Sequence, residues 1–378
     1  MPLCLPVVGL LCVVSILPAR TLTIQIDPES GPSSAPQPKW WLVEQQRGKG
    51  KSWESTSFLN AGGPLDQYNF VQLQELWENK MGNGSPMFAV RQIDYNGALP
   101  RFSYMFPVHE EDQKQVFDQS VLEPYVSYNL ARDIQACCQS GNGYAVDVGG
   151  NFGWYSLLLA SLGCQVDTFE PVPWFYSLLN FTKTELNTRP VNERITLHAG
   201  KVLGSEYGDT RTMVVPTQGL TGAAGVDGAN VHGHLAACGT SAACFDVTMT
   251  TVDKELLSKQ NEASKAACAM KVDVEGFEPD VFAGAGLFMN SSKPKVVIME
   301  LSPGMQGRLG RSNAENVRAL ESLVALGYTP HLLHWKTIKS YDWKVIQTRI
   351  DKFVYQKDMA GLVKQCGYNC MVYFKSGR

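Results

Sequence analysis

The chain predicts a doubly wound α/β fold on a mainly parallel sheet, and three observations carry that expectation. From about residue 121 onward, short apolar runs alternate with helical periodicity, the pattern of strands joined by crossover helices. The stretch AVDVGGNFG at 145 to 153 runs directly into WYSLLLASL at 154 to 162, which reads as strand, tight turn and helix. Two acidic residues, Asp147 and Glu170, then end successive strands, where open α/β sheets bind their ligands.

The elements follow in order. Val121, Tyr125, Tyr128, Ala131 and Ile134 recur at helical spacing, with Pro124 tolerable in a first turn. A strand at 144 to 148 leads through the glycine turn to a helix that Gly163 stops. CQVDTFE at 164 to 170 is the next strand, the run from Trp174 to Leu186 the next helix, and Ile195 to His198 a third short strand. ACAMKVDVEG (267 to 276) and KVVIMELS (295 to 302) are two further strands, with a helix over roughly 279 to 288 between them. A helix over Ala314 to Leu326 stops at Gly327, and MVYF at 371 to 374 makes the last strand.

Outside this core the chain divides by composition. Residues 1–19 carry no charged side chain and read as a signal peptide or a short membrane anchor, Pro6 and Pro18 favouring the former. Residues 20–39 are a Pro/Ser-rich linker, 40–120 an irregular N-terminal extension that packs on the main domain, and 121–378 the main domain, with a Gly/Ala-rich loop insertion at about 204–244. Sequons at Asn83, Asn180 and Asn290, and eight cysteines beyond the leader, agree with a lumenal or secreted location in the secretory pathway. Cys238/Cys244 and Cys366/Cys370 are spaced to close small loops; the remaining pairing is open. The formal charge of -3, without a long basic run, gives no reason to expect nucleic acid. Oligomeric state is open.

Spacing decides between ligands at the glycine turn. A dinucleotide fingerprint aligned on Gly150 and Gly153 places Val148 where its first glycine is required, which removes a dehydrogenase from consideration. What remains, Asp147-x-Gly149-x-x-x-Gly153, suits a ligand bearing an ammonium beside its carboxylate, as S-adenosylmethionine does. Glu170 lies 20 residues after Gly150, where a carboxylate accepts both hydroxyl protons of an adenosine ribose; structurally, the same residue caps the helix that follows Pro171 and Pro173. Gly150 completes the loop, Asn151 touches the methionine end or holds the turn, and His198 closes the third strand near the adenosine position or is a structural histidine.

DVGGNFGWYSLLLAS, VDTFEPVPWFYSLLNFTKTELN, MKVDVEGFEPDVFAGA and VVIMELSP together resemble, in order and spacing, the FkbM family of S-adenosylmethionine-dependent methyltransferases, over roughly residues 120 to 335. The resemblance implies a class I methyltransferase fold, a seven-stranded sheet with its last strand antiparallel, S-adenosyl-L-methionine as cofactor, and cofactor binding by Asp147, Gly149, Gly153 and Glu170. It leaves residues 1–120 and the tail past 335 uncovered, and the 204–244 loop is longer than the family pattern.

For the chemistry, an alcohol acceptor needs a general base within hydrogen-bond reach. Lys271, Asp273 and Glu275 alternate along one strand and so aim at one face. Their structural explanation is a Lys271–Glu275 ion pair, with Asp273 satisfying backbone amides. Glu300, ending the next strand, is a second base or acceptor-binding candidate, and Glu278 before Pro279 reads as a helix start. Asp147, Asp273 and Glu300 offer oxygen atoms to a divalent metal, but no spacing demands one and none is assigned. The expected activity is O-methylation of a hydroxyl on a glycan or small molecule; the alternatives are N-methylation and a non-catalytic S-adenosylmethionine-binding module serving a protein partner.

Overall fold

The computed structural model describes residues 40–43, 56–59 and 88–377, the last without 108–109, 111–112, 114–115, 117–118, 188, 218–221, 232–233 and 258–265. The leader and Asn83 lie outside the described residues. No helix among the described residues is long and apolar enough to cross a membrane.

The first strands, β1 (Trp40–Val43), β2 (Thr56–Leu59), β3 (Phe88–Ile93) and β4 (Phe102–Pro107), form one sheet in the order β2–β1–β3–β4. The extension, irregular in sequence, thus contributes a sheet among its described residues, and the rings of Phe102 and Tyr104 lie 5.5 and 5.3 Å from that of Trp154. That contact packs β4 onto the glycine-turn helix. Helix α1 (Pro124–Cys138) opens the main domain, followed by β5 (Gly143–Val148), α2 (Trp154–Leu162), β6 (Gln165–Glu170), α3 (Pro173–Phe181) and β7 (Ile195–Ala199). The insertion folds back as an antiparallel pair, β8 (Thr210–Pro216) with β9 (Ala242–Thr250). Then come β10 (Ala266–Val272), α4 (Glu278–Ala283), β11 (Val296–Leu301), α5 (Asn313–Ala325), β12 (Tyr328–Leu333), α6 (Met359–Cys366) and β13 (Cys370–Ser376).

The main sheet has seven strands in the order β12–β13–β11–β10–β5–β6–β7. Its β13 runs antiparallel to β11 and β12, and its other pairings are parallel. This is the arrangement implied by the resemblance. The strand order reverses between β5 and β10, so a crevice opens above their carboxyl ends. Helices cover both faces over two buried apolar clusters, as a sheet buried on both sides requires.

Two readings of the strands change. The β10 strand ends at Val272, and Asp273 to Gly276 form a turn with Glu275 at φ +53° and Gly276 at φ +104°. Only Lys271 of the three alternating charges therefore lies on the strand, because pairing with β5 ends at Val148. The strand Tyr328–Leu333 is absent from the sequence reading because Pro330 and His331 interrupt it; as the edge strand of the seven-stranded sheet, laddered to β13 and meeting an isolated bridge to Val354 at His331, it tolerates the proline.

Four disulfides join the eight described cysteines: Cys137–Cys268, Cys138–Cys164, Cys238–Cys244 and Cys366–Cys370. The first two pin the end of α1 to β10 and to the residue before β6, and the third ties the loop at Cys238 to Cys244 within β9.

Candidate active site

The turn after β5 is shaped by the turn beside it. Gly149 sits at φ +79°, and a Cβ there would lie 1.9 Å from the Asp273 carbonyl oxygen, so only glycine lets the β5 and β10 turns meet. The Gly149 and Gly150 amides both donate to the Phe169 carbonyl at 3.0 Å, docking the turn against the end of β6. Asn151, at φ +50°, donates its backbone N–H to Glu170 Oε2 at 2.7 Å. The other oxygen, Oε1, accepts from the Val172 amide at 2.8 Å at the start of α3. Glu170 thus both holds the residue that leads into the next helix and faces the crevice. Burial pushes its carboxyl up to about 7, against the pull of those two amides.

Above the turns lies a cavity of about 510 Å³. One end is walled by Gly149, Asn151, Glu170, Val172, Phe175 and Leu203. The other is walled by Glu123, Asp273, Glu275 and Glu300, with Trp335, Tyr368 and Asn369 beside them. The roof comes from the two segments with no readable motif: Glu110 of the extension, and Gly222 to Val226 of the insertion. Gly222 joins the layers, accepting from Asn151 Nδ2 at 3.2 Å and donating to Glu110 Oε2 at 3.4 Å. That bond identifies Asn151 Oδ1 as the remaining acceptor on the amide, and it is buried without a partner among the described residues.

Six carboxylates against two lysines, Lys201 and Lys339, make the wall acidic. Lys201 is paired with Glu255. Burial, with Asp273, Glu275 and Glu123 close by, holds the Glu300 carboxyl well above the usual carboxylate range. Asp273 Oδ2 lies 3.1 Å from Lys271 Nζ. Glu278 accepts the amides of Val274 and Gly276 at 3.1 and 3.0 Å, so it braces the turn that carries Asp273 and Glu275 as well as starting α4.

Five sequence candidates lie elsewhere. Asp147 is fully buried and absent from the cavity wall; its side chain points under α2, where Oδ2 accepts the Ser156 hydroxyl at 2.5 Å. Strand alternation explains the miss: Val148 faces the crevice and its neighbour turns away. Lys271 lies beneath the loop, donating to the Gly149 carbonyl at 3.1 Å. Asp273 and Asp147 beside it outweigh burial and hold its ammonium above its ordinary value, so it is a fixed charge and not a base. Its ion-pair partner is Asp273, not Glu275. His198 is bonded to Asp167 at 2.5 Å and stacked on Phe169, away from the cavity wall. Gly150 and Gly153 shape and pack the turn without lining the cavity. Sequence reasoning also passed over Glu123, whose carboxylate accepts the Tyr155 hydroxyl, and Trp335 and Asn369. The first is signalled by its place just before Pro124, whereas the last two reach the site only through sheet topology.

A family model described as the methyltransferase FkbM domain matches residues 147–370, which takes in the tail beyond 335. No curated protein matches the chain in sequence. Among solved structures, a methyltransferase FkbM from Methylobacillus flagellatus KT is 16% identical with a TM-score of 0.33, covering 61% of this chain; the chain spans 43% of that protein's length. The O-methyltransferase TomG from Streptomyces achromogenes is 11% identical over 83% of this chain and all of its own, with a TM-score of 0.35. An O-methyltransferase from Bacillus cereus is 12% identical over 82% of this chain and 97% of its own, with a TM-score of 0.34. Likenesses this loose carry no argument about the acceptor.

Proposed function

Since the chain belongs to the FkbM methyltransferase family, we propose that it is an S-adenosylmethionine-dependent O-methyltransferase whose acceptor is a hydroxyl on a glycan or small molecule. One observation carries the reading: a single cavity has Glu170 and the partnerless Asn151 Oδ1 at one end and the Glu123, Asp273, Glu275 and Glu300 carboxylates at the other.

These residues fit the cofactor. Each Glu170 oxygen spends one acceptor site on a backbone amide and has capacity left for a ribose hydroxyl. Asn151 Oδ1 is a buried acceptor suited to an ammonium. S-adenosylmethionine, when bound, supplies an electrophilic methyl on a sulfonium. The protein's task is then alignment and exclusion of water, and positioning alone is worth about 7 to 11 kcal/mol in favourable cases. The contacts of Gly222 with Asn151 and Glu110 close the roof over the turn. Asp273, ion-paired and on the wall, receives the acceptor's proton.

The acidic wall favours a hydroxyl over an amine, because carboxylates hold an amine as ammonium, which has no lone pair to attack. A sugar ring has apolar C–H faces and a hydroxyl rim; Trp335 and Tyr368 offer flat surfaces for the first, and the carboxylates and Asn369 offer partners for the second. Four disulfides agree with passage through the secretory pathway.

The test is transfer of labelled methyl from S-adenosylmethionine to panels of neutral methyl glycosides, small alcohols and amines. Label is expected on hydroxyls. Label on amines alone would overturn the O-methylation reading.

A further inference from the structure

Three residues far apart in sequence meet at the acceptor end of the cavity because β13 runs antiparallel to its neighbours. Glu300 lies near the carboxyl end of β11, Trp335 follows the carboxyl end of β12, and Asn369 immediately precedes β13. The reversal of β13 brings its first residues to the edge where the other strands finish. A linked set of hydrogen bonds results. Trp335 Nε1 donates to Asn369 Oδ1 at 3.0 Å, and Asn369 Nδ2 donates to Glu300 Oε1 at 2.8 Å.

An indole N–H only donates. Its partners on Asn369 are therefore both oxygens, the backbone carbonyl at 3.3 Å and Oδ1 at 3.0 Å, which leaves the amide NH₂ facing Glu300. Amide hydrogens need a lone pair, so Glu300 Oε1 serves as the acceptor and the carboxyl proton belongs on Oε2. Glu300 is buried, at 8% exposure, where an unplaced proton is costly.

We propose that Asn369, held by the Trp335 indole, is a positioning residue that directs the Glu300 proton to Oε2, so that the Glu300–Asp273 pair presents one defined arrangement to the acceptor hydroxyl. The bonding pattern stands on its own; its role in proton transfer rests on the methyl-transfer reading. In that reaction the acceptor oxygen forms its bond to the methyl carbon and the methyl–sulfur electron pair leaves with the sulfur. The acceptor's O–H proton passes to the Asp273 carboxylate, and the pair later returns it to water. The charged groups facing Glu300 are Asp273, Glu275 and Glu123. Lys271 pairs with Asp273, and Lys339 stands on the same wall. Burial first, then the negative charges of Asp273, Glu275 and Glu123 and a side-chain hydrogen bond with Asp273, raise the Glu300 carboxyl well above its ordinary value.

Infrared difference spectra of the full chain test the placement without an acceptor. The carbonyl stretch of a buried protonated carboxyl, identified as Glu300 by its loss in Glu300→Gln, should move to higher frequency in Asn369→Ala, where the amide donor is gone. Trp335→Phe, which keeps the ring and removes the N–H, should broaden or split that band as the Asn369 amide becomes able to turn over. An unmoved band in Asn369→Ala, or an unchanged one in Trp335→Phe, overturns the proposal. For the role in transfer, Asn369→Ala should bind S-adenosylhomocysteine within about twofold of wild type. Its kcat toward a neutral methyl glycoside should drop about tenfold with KM retained and with a displaced pH profile. A rise in KM alongside the fall in kcat, with an unshifted pH profile, would reduce Asn369 to a structural residue. Absence of methyl transfer in the wild type alongside the expected infrared shifts would instead refute the methyl-transfer reading and leave the placement intact.

Discussion

Replacing Glu170 by Ala removes a carboxylate that the proposed function places on the cofactor ribose, and both the size and the pH dependence of the loss follow from its surroundings. Hydrogen bonds to a charged group are worth about 1.5 to 3 kcal/mol each. Two ribose hydroxyls, partly re-solvated in the variant, give about 3 kcal/mol, or roughly a hundredfold in Kd. The carboxyl in the ligand-free protein is pushed up to about 7 by burial, and hydroxyl donors favour its ionised form. Below about pH 7 a bound proton must leave before the ribose is held. Wild-type affinity for S-adenosylhomocysteine should therefore fall by up to tenfold per pH unit below about 7 and level off above it. In Glu170→Ala this step should vanish. The same group acts on stability with the opposite slope, since its folded value lies above the ordinary value of 4.5. The folded chain keeps a proton that the unfolded chain has released, so the contribution is present at low pH and lost as pH rises through about 7, at most about 3 kcal/mol. Calorimetric titration from pH 5.5 to 8.5 measures the binding side. Equal affinity in variant and wild type, or a wild-type profile that is flat across pH 7, would refute the ribose assignment.

Two further predictions concern the frame of the site. Gly149→Ala should destabilise the chain by at least about 1 kcal/mol, seen as a lowered Tm, because its Cβ would overlap the Asp273 carbonyl at 1.9 Å from a backbone at φ +79°; an unchanged Tm would contradict the close approach of the two turns. Cys268→Ala opens the Cys137–Cys268 link across 131 residues, worth at most about 5 kcal/mol on the loop-entropy scale. Its denaturation midpoint should fall and its slope rise, because the opened chain exposes more surface when unfolded, and a midpoint equal to wild type would show that the bond is not formed.

The core of the fold was readable because its local signals agree with its tertiary fate. Val146 and Val148 are buried between layers, Gly163 ends α2 in the left-handed conformation, and Glu170 ends β6. Reading failed where contacts are non-local. The strand at 328–333 hides behind Pro330, permissible because the strand lies at the edge of the sheet. Asp147 seemed to face a ligand, yet strand parity turned it toward Ser156. Lys271, Asp273 and Glu275 alternate in sequence, but the chain leaves the sheet after Val272, so the ion pair formed with Asp273. Asn369 and Trp335 carry no motif and reach Glu300 only because one strand is reversed.

The most direct test of the account is a crystal structure of the chain with S-adenosylhomocysteine. The account predicts both ribose hydroxyls within hydrogen-bond distance of Glu170, the amino group near Asn151 Oδ1, and the sulfur directed toward Asp273 and Glu300. A ligand bound elsewhere, or one whose ribose faces away from Glu170, would contradict it.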